Sequence, residues 1–517
     1  MARNIMIQGT GSSVGKSIIV AGLCRILKNA GYKVAPFKAQ NMSLNSYVTA
    51  EGGEMGRAQV VQAEASGIEP SVLMNPILIK PTGDMSSQVI VLGKVYRQLG
   101  ADEYYQVVPE LVETVKRAYD ELAANYDVIV LEGAGSPAEI NLYHRDIVNM
   151  GMARMADAPV LLVGDIEKGG VFASVFGTVS LLPEEDRRRV KGWIINKFRG
   201  SVSILDPGIR ELERIMDIPC LGVVPYVKLN LEEEDGAVEL LENRGIGPAS
   251  LTDSEEDNNN KDTTVCVIRL PHISNFTDFD VFSKLPNTRV IYANHPSQLD
   301  NVDIIILPGS KNTIGDLTYL ENAGFVEAIM RHYHRGGFVI GVCGGYQMLG
   351  KEIHDPHHTE SQREKVAGLG LLDIVTVFAT QKITSQVQGH FLPSACSWTQ
   401  RLAGKHFRGY EIHMGVSRLG PGAQPLLCCV KNDGSLYEDG TFSADGRVVG
   451  SYVHGLFDDP VIAAEVINHV RRSRGWPEIN CGSLDYRLAK DLEFQRWADI
   501  LSASLDIDRI FELIFGD

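Results

Sequence analysis

This 517-residue sequence has few of the features that mark membrane, secreted or zinc-stabilised proteins. It contains no apolar run near the roughly 20 residues that a membrane-spanning helix needs. A strand pattern begins at once, where a signal peptide would need a charged and then an apolar region. The eight cysteines include no CxxC pair, and the adjacent Cys428 and Cys429 suit neither a disulfide framework nor a zinc site. We therefore predict a protein of a reducing, cytoplasmic compartment with no membrane contact.

Acidic residues outnumber basic ones, with 65 Asp and Glu against 49 Lys and Arg, which gives a net charge of −16. This balance argues against sequence-independent binding to DNA or RNA, so we expect no nucleic-acid partner. It does not exclude a small anionic substrate, because local lysines and glycines can hold one. The length exceeds that of one ordinary core, and the 44% hydrophobic content is typical of globular proteins, so two or three domains are expected.

A cysteine in the second half of the chain stands where a strand pattern gives way to a helix pattern. The apolar run 338–342 predicts a buried strand that ends at Cys343, and Gly344 and Gly345 follow before a helical pattern begins. Glycines allow a strained turn and close approach of a carbonyl, and a helix N-terminus favours the thiolate. The pattern predicts a nucleophile elbow, and the alternative is a buried structural cysteine.

A histidine about a hundred residues later could serve that thiol. His454 ends the strand pattern 448–453, and side chains at the ends of two strands in one sheet can meet in space. This arrangement favours nucleophilic catalysis by Cys343. Most single histidines are not catalytic, and His354, His357 and His358 lie in a polar stretch where we expect them to be solvated.

The N-terminus carries a glycine-rich loop between a strand pattern at 4–8 and a helix pattern at 18–29. Backbone amides and a helix N-terminus can cradle phosphates there, Lys16 can neutralise them, and the Ser17 hydroxyl can bind Mg²⁺. The spacing departs from GxxxxGK[ST], because Thr10 occupies the first glycine position. The alternative is a turn without function. The predicted nucleotide-binding residues of the loop are Thr10, Gly11, Ser12, Ser13, Val14, Gly15, Lys16 and Ser17.

This variant loop resembles that of dethiobiotin synthetase and its relatives. The resemblance implies a doubly wound parallel sheet that uses ATP to activate a carboxylate. It also implies that Glu132, at the end of a buried strand, is a Mg²⁺ ligand, and that Asn196 contacts the base. Asp165 ends another strand at the edge where parallel sheets bind ligands.

Two amide-rich stretches, 36–46 and 74–84, suit a ligand with carboxylates and carboxamides, because their lysines and amides can bond to both. The alternative is that each residue belongs to a solvated loop. The predicted substrate-binding residues are Lys38, Gln40, Asn41, Asn45, Lys80 and Asp165.

The cysteine elbow and the distant histidine resemble the class I glutamine amidotransferases. By that resemblance Cys343 attacks the amide of glutamine, His454 moves protons, and backbone amides near Gly309, Ser310 and Gly344 hold the oxyanion. Most of the class has Glu two residues after the histidine, where this sequence has Leu456. We expect a Cys–His dyad. The alternatives for a third member are Glu411 and Asp458, since a base histidine normally has its second nitrogen held.

Nearly the whole chain resembles the synthetases that amidate corrinoids, in which a dethiobiotin-synthetase-like domain precedes an amidotransferase domain. The stretches 38–46, 273–280, 307–313 and 452–457 resemble the cobyric acid synthase family in particular. That resemblance implies ATP- and glutamine-dependent amidation, with Mg²⁺, of four carboxylates (b, d, e and g) of a corrin, adenosylcobyrinic acid a,c-diamide, in cobalamin biosynthesis. The alternatives are a cobyrinic acid a,c-diamide synthase and a non-catalytic ParA-like nucleotide switch.

The fold prediction is an α/β protein with two doubly wound domains. Residues 1–230 form a P-loop parallel sheet that binds ATP, and 263–517 form a class I glutamine amidotransferase-like sheet. The polar, acidic stretch 231–262 joins them as a linker.

Overall fold

The computed structural model describes residues 2–82, 86–232, 262–394, 399–431, 434–481 and 486–516. The helices of the first domain are α1 (Lys16–Asn29), α2 (Arg57–Ser66), α3 (Ala101–Asn125), α4 (Met150–Met155), α5 (Val171–Leu181), α6 (Glu184–Arg187) and α7 (Asp206–Met216). Its strands are β1 (Arg3–Gly9), β2 (Val34–Phe37), β3 (Gln40–Met42), β4 (Ser46–Val48), β5 (Glu54–Gly56), β6 (Ile77–Pro81), β7 (Ser86–Val91), β8 (Lys94–Gly100), β9 (Val128–Glu132), β10 (Val160–Asp165), β11 (Val190–Phe198) and β12 (Cys220–Pro225).

The helices that follow are α8 (Thr313–Asn322), α9 (Phe325–His334), α10 (Gly344–Leu349), α11 (Pro460–Ser473), α12 (Tyr486–Ser504) and α13 (Ile507–Phe515). The strands of this second part are β13 (Thr263–Ile268), β14 (Ile273–Ser274), β15 (Thr288–Ala293), β16 (Ile304–Leu307), β17 (Gly309–Ser310), β18 (Phe338–Val342), β19 (Glu352–His354), β20 (Lys365–Ala367), β21 (Ile374–Phe391), β22 (His406–Leu419), β23 (Pro425–Val430), β24 (Leu436–Phe442) and β25 (Val448–Ser451).

The first domain is built on a six-stranded parallel sheet in the order β12-β11-β10-β1-β9-β2. Apolar clusters cover both of its faces, which is why its strands read as near-continuous apolar runs. Because the strands are parallel, their carboxyl ends meet at one edge of the sheet, where such sheets bind ligands. This edge carries Gly9, Glu132, Asp165 and Asn196. This confirms the predicted doubly wound sheet. A smaller sheet, β3-β6-β7-β8, and the β4-β5 hairpin lie beside it.

The second domain has an eleven-stranded sheet whose first half is parallel, in the order β15-β13-β16-β18-β25. The predicted α/β sheet is confirmed in this half. The other half is largely antiparallel and includes the long hairpin of β21 and β22, which the sequence did not indicate. Because β18 and β25 are neighbours, the residues that follow them, Cys343 and His454, emerge at one edge.

The last two helices pack on the first domain, although the predicted boundary placed them with the second. Trp497 and Leu501 of α12 and Ile514 of α13 are buried in the cluster that covers α1. The Trp497 indole N–H donates to the carbonyl of Ile18 at 2.7 Å. The boundary prediction of 263–517 is therefore wrong for this segment, because its apolar face is buried against the first sheet.

The predicted linker 231–262 falls mostly on 233–261, which lie outside the described residues. The start of this stretch packs against the first domain and α12, because Glu232 is buried and pairs with Arg57 at 2.9 Å and with Lys490 of α12 at 2.7 Å. No helix within the described ranges is long and apolar enough to cross a membrane.

The packing of α12 predicts a large effect from truncating Trp497. We expect Trp497→Ala to lower the free energy of unfolding by about 3–5 kcal/mol, because it removes a buried aromatic ring and leaves a cavity. The matched control is Leu492→Ala on the same helix, whose side chain is exposed and should change stability by no more than about 0.5 kcal/mol. Chemical denaturation of the full chain measures both. Equal effects of the two variants would contradict the packing.

Candidate active sites

Cys343 lies at a sharp turn between β18 and α10, with φ 52° and ψ −107°. A non-glycine residue rarely adopts this conformation, and such strain is typical of a nucleophile elbow. The turn fits because Gly345 has no side chain: a β-carbon there would lie 1.9 Å from the carbonyl oxygen of Leu307. The thiol points into a cavity of about 470 Å³, and its sulfur lies 3.4 Å from the carbonyl oxygen of Ile412.

The structure brings His454 to this thiol and supplies it with a carboxylate. His454 and Cys343 line the same cavity, and Nδ1 of His454 lies 2.6 Å from Oδ2 of Asp278. The other oxygen of Asp278 accepts from the amide of Gly455 at 3.3 Å. All three side chains of this Cys–His–Asp set are buried.

The expectation of a dyad is therefore wrong in its geometry, and so are both alternatives for the third member. Glu411 lies beside His413, with 3.7 Å between Oε2 and Nε2. Within the described residues, neither Glu411 nor Asp458 makes a hydrogen bond or ion pair with the His454 ring. Asp278 takes the place that Leu456 cannot fill.

The charges of this set favour an imidazolium. Burial lowers the pKa of His454, but the negative charges of Asp278 and Cys343 outweigh it and raise that pKa to about 10. The His454 ring is thus suited to hold a proton that it can give to a leaving group.

The predicted oxyanion residues lie around the same thiol. Ser310 and Gly344 both line the cavity, and a β-carbon on Gly344 would lie 2.8 Å from the backbone nitrogen of Ser310. Gly309 lies next to the histidine, since a β-carbon there would lie 3.2 Å from Cε1 of His454. The backbone of these residues can therefore approach a bound carbonyl closely.

A segment of the first domain completes the surroundings of His454. The Tyr410 ring stacks on the His454 ring, with 5.4 Å between centroids and 17° between planes. The Tyr410 hydroxyl donates to the carbonyl of Ser46 at 3.3 Å and accepts from Nδ2 of Asn275 at 3.2 Å. Oδ1 of Asn275 in turn accepts from the amide of Ser46 at 3.1 Å. β4 of the first domain therefore touches the groups that hold the histidine.

The predicted phosphate loop lies at the carboxyl end of β1, as its spacing indicates. Ser13 and Gly15 have left-handed backbones, with φ 58° and 95°. A β-carbon on Gly15 would lie 2.1 Å from Nδ2 of Asn196, so this position needs glycine. Asn196 donates to the carbonyl of Val14 at 2.9 Å and so holds the phosphate loop in place.

The side chains of the loop converge on the end of β9. Nζ of Lys16 donates to the carbonyl of Gly11 at 2.8 Å and to that of Gly135 at 3.3 Å. The Ser17 hydroxyl donates to Oε1 of Glu132 at 2.8 Å. The two predicted metal ligands, Ser17 and Glu132, are therefore adjacent beside the loop.

Glu132 is fully buried and receives several donors. Nζ of Lys38 lies 2.8 Å from Oε1, and the side-chain amides of Gln62 and Gln59 lie 2.5 and 3.4 Å from Oε2. Oε1 of Gln62 is a buried acceptor that receives no hydrogen bond from the part of the chain that the structure describes. Oxygens of Glu132, Ser17 and Gln62 make a donor set that suits a hard divalent cation such as Mg²⁺.

Four of the six predicted substrate residues lie near this site. Lys38 contacts Glu132, and Asn41 donates to Gln59 at 3.1 Å, which in turn contacts Glu132. Gln40 precedes Asn41 and accepts from the hydroxyl of Tyr104. Asp165 lies on the other side of the loop. Nζ of Lys197 lies 2.9 Å from Oδ2 of Asp165 and donates to the carbonyl of Ser13 at 2.7 Å.

Asn45 and Lys80 lie elsewhere, at the contact between the domains. Oδ1 of Asn45 accepts from the hydroxyl of Thr277 at 3.4 Å. Lys80 lines the cavity in front of Cys343 and pairs with Glu54 at 2.7 Å. The structure does not gather the six residues in one place, because the chain between Lys38 and Asn45 runs from one site to the other.

Sequence reasoning missed Asp278 and Tyr410. The stretch 273–280 was singled out for its resemblance, and an acidic residue in it was the available signal, but no role was assigned. Tyr410 lies one residue before Glu411, one of the two alternatives for the third member. The stacking that makes it relevant depends on the tertiary fold.

Comparison with known proteins finds a family match for each of the two domains. Residues 264–461 match the CobB/CobQ-like glutamine amidotransferase domain, and residues 5–237 match the CobQ/CobB/MinD/ParA nucleotide binding domain. The cobyric acid synthase of Thermoanaerobacter sp. (strain X514) is 48% identical over 519 residues, covering 99% of each chain. That of Caldanaerobacter subterraneus subsp. tengcongensis is 49% identical over 519 residues, again covering 99% of each.

This chain belongs to the cobyric acid synthase family. It is thus a glutamine-dependent amidotransferase ligase that uses ATP. Among solved structures, PurLQS from Thermotoga maritima is 18% identical, covers 40% of this chain and 99% of its own, and has a TM-score of 0.33. The family assignment rests on the sequence relatives.

In this member of the cobyric acid synthase family, we predict that Asp278→Asn lowers kcat for glutamine hydrolysis by about 10²- to 10⁴-fold, because the ring loses its acceptor and its tautomer. His454 acts as an acid only below its pKa, so activity should fall as pH rises through about 10. Without the Asp278 charge, that alkaline limb should move to lower pH. A pH–rate profile measures both effects.

The matched controls are Glu411→Gln and Asp458→Asn, which remove carboxylates that do not touch the ring. A collapse in either, with Asp278→Asn near normal, would contradict the assignment of Asp278.

Proposed function

We propose that this chain transfers the amide nitrogen of glutamine to four carboxylates (b, d, e and g) of adenosylcobyrinic acid a,c-diamide, and that ATP activates each carboxylate. The observation that carries this proposal is the pairing of an intact Cys343–His454–Asp278 set with a separate phosphate loop in one chain. A nucleotide switch would need no such nucleophile, so the geometry favours a ligase.

In the first reaction, the Cys343 thiolate attacks the side-chain amide carbon of glutamine. Negative charge develops on the carbonyl oxygen, where backbone amides near Ser310 and Gly344 stabilise it. His454 gives its proton to the departing ammonia and then takes one from a water that attacks the thioester. Glutamate leaves and the thiolate is restored. Asp278 holds the ring in place throughout.

In the second reaction, a substrate carboxylate attacks the terminal phosphorus of ATP, the bond between that phosphorus and ADP breaks, and an acyl phosphate forms as ADP leaves. The loop amides and Lys16 neutralise the negative charge that accumulates on the phosphates. Ammonia then attacks the acyl carbon, and phosphate leaves. We propose that Lys38, Gln40 and Asn41 contact the corrin, since their ammonium and amide groups can bind both the carboxylates and the carboxamides of such a substrate.

Mg²⁺ fits this site, where Glu132 and Ser17 would hold it. Bound there, it would supply charge neutralisation for the transferred phosphoryl group. Lys38 shares Oε1 of Glu132 and would remain its neighbour.

The two reactions predict opposite requirements for nitrogen source. We expect Cys343→Ala to abolish synthesis from glutamine but retain synthesis from added ammonia, because the phosphate loop is untouched. We expect Lys16→Ala to abolish both, because carboxylate activation fails. Product masses after incubation with corrin acid, ATP, Mg²⁺ and each nitrogen source measure the outcome. Cys481→Ala and Lys33→Ala are controls away from both sites.

The contrary results are also distinct. Loss of ammonia-dependent synthesis in folded Cys343→Ala would contradict the division between the sites. Near-normal ammonia-dependent synthesis in Lys16→Ala would contradict the phosphate-loop assignment.

We expect Glu132→Gln to raise the Mg²⁺ concentration needed for half-maximal synthesis and to lower turnover, because a neutral amide is a weaker ligand for a hard cation. The measurement is a Mg²⁺ titration of ammonia-dependent synthesis, which does not involve Cys343. Glu139→Gln, at an exposed position after the same strand, is the matched control. An unchanged titration in Glu132→Gln would move the metal to another ligand, with Asp165 the next candidate.

A further inference from the structure

The cavity in front of Cys343 carries more charge than hydrolysis of an amide requires. Besides Cys343 and His454, its lining includes Lys80, Lys311, Lys382 and Glu360. A simple amide would gain nothing from these charges. Their presence points to a ligand with charges of its own.

Two of the lysines already share one carboxylate partner. Lys80 and Lys382 both pair with Glu54, which is buried between them, and Lys80 lies 2.7 Å from it. Burial acts to raise the pKa of Glu54, but the charges of Lys382 and Lys80 hold it well below its usual range. Each of the two lysines thus forms an ion pair with Glu54. Lys311 and Glu360 are the charged residues of the lining that remain.

Lys311 directly follows the proposed oxyanion residue Ser310, and its ammonium makes no ion pair with any carboxylate of the described residues. Burial lowers its pKa. Burial likewise raises the pKa of Glu360 to about 7, although Oε2 of Glu360 accepts from the amide of Thr313 at 2.7 Å. A cation and an anion are thus both desolvated beside the nucleophile. The charge of Glu360 acts to raise the pKa of Lys311 and that of Lys311 acts to lower the pKa of Glu360, yet no ion pair within the described residues joins them, so a ligand that carries both charges could bind each.

Glu360 is held firmly in this place. It belongs to the polar stretch between β19 and β20, in which Asp355 accepts from the amides of Thr359, Glu360 and Ser361 at 2.8, 2.9 and 3.0 Å. A side chain on such a fixed turn can select a ligand without first being ordered.

We propose that Lys311 and Glu360 form the subsite that binds the α-carboxylate and the α-ammonium group of glutamine, respectively. The inference rests on the proposed glutaminase reaction and extends it to substrate selection. Glutamine carries both charges on the carbon three bonds from its amide carbon, so one pocket can hold all three groups. Gln347 and Thr313, which also line the cavity, are hydrogen-bonded to each other at 3.1 Å and brace its wall.

Two analogues of glutamine separate the roles. Glutaramate keeps the carboxylate and lacks the ammonium group, and 4-aminobutanamide keeps the ammonium group and lacks the carboxylate. The experiment measures kcat/KM for glutamine and the inhibition constant of each analogue against glutamine hydrolysis. Lys311→Met should weaken glutamine and glutaramate by about 30-fold or more and leave 4-aminobutanamide unchanged. Glu360→Gln should weaken glutamine and 4-aminobutanamide similarly and leave glutaramate unchanged.

The matched controls are Lys365→Met and Glu364→Gln, at exposed positions of the same stretch. Ammonia-dependent synthesis should be normal in all four variants and shows that they are folded. If a variant fails this check, Lys311→Gln or Glu360→Met replaces it, and each should show the same selective loss as the variant that it replaces.

Equal loss toward glutamine and both analogues, or no loss at all, would overturn the subsite. A wild-type chain that does not hydrolyse glutamine would instead overturn the proposed function, so the two failures are distinguishable.

Discussion

The stacking of Tyr410 on His454 is the contact on which the glutaminase site depends. The Tyr410 hydroxyl donates to the carbonyl of Ser46 of the first domain and accepts from the side-chain amide of Asn275. Asn275 also accepts from the Ser46 amide, and its own carbonyl accepts from the amide of Asp278. The acceptor and the stacking partner of the histidine are therefore both tied to β4. A histidine fixed on two sides keeps one tautomer and one ring orientation, which proton transfer to a leaving group requires.

A buried cluster of charge fixes the same domain contact. Glu54 and Lys80 come from the first domain and are buried, and Lys382 comes from the second and is half-buried. Removing one partner of a buried pair leaves an uncompensated charge, at a cost of about 3–5 kcal/mol. Any arrangement that separated Lys382 from Glu54 would leave such a charge, so the cluster specifies how the domains meet. Burial lowers the pKa of Lys382 to about 7, and the charge of Glu54 opposes this shift.

The sequence predicted the features whose residues lie close together in the chain. The phosphate loop and the cysteine elbow each lie within about ten residues, where glycine positions and strand–helix patterns carry the signal. Asp278 was missed because it is 176 positions from His454, and its contact depends on how a short helical segment packs. Asn45 and Lys80 had the right chemistry for a ligand, but folding placed them between the domains. The position of α12 depended on burial of Trp497, which no boundary signal in the sequence reveals.

The segment from Lys38 to Ser46 explains why both chemistries occur in one chain. At its start Lys38 contacts Glu132 beside the phosphate loop, and at its end Ser46 contacts Tyr410. Most of its polar side chains are buried, so neither end is a free loop. An amidotransferase domain without this segment would leave Asn275 and Tyr410 short of hydrogen-bond partners beside His454. The hydrogen-bonded surroundings of His454 are therefore complete only where the activating domain is docked.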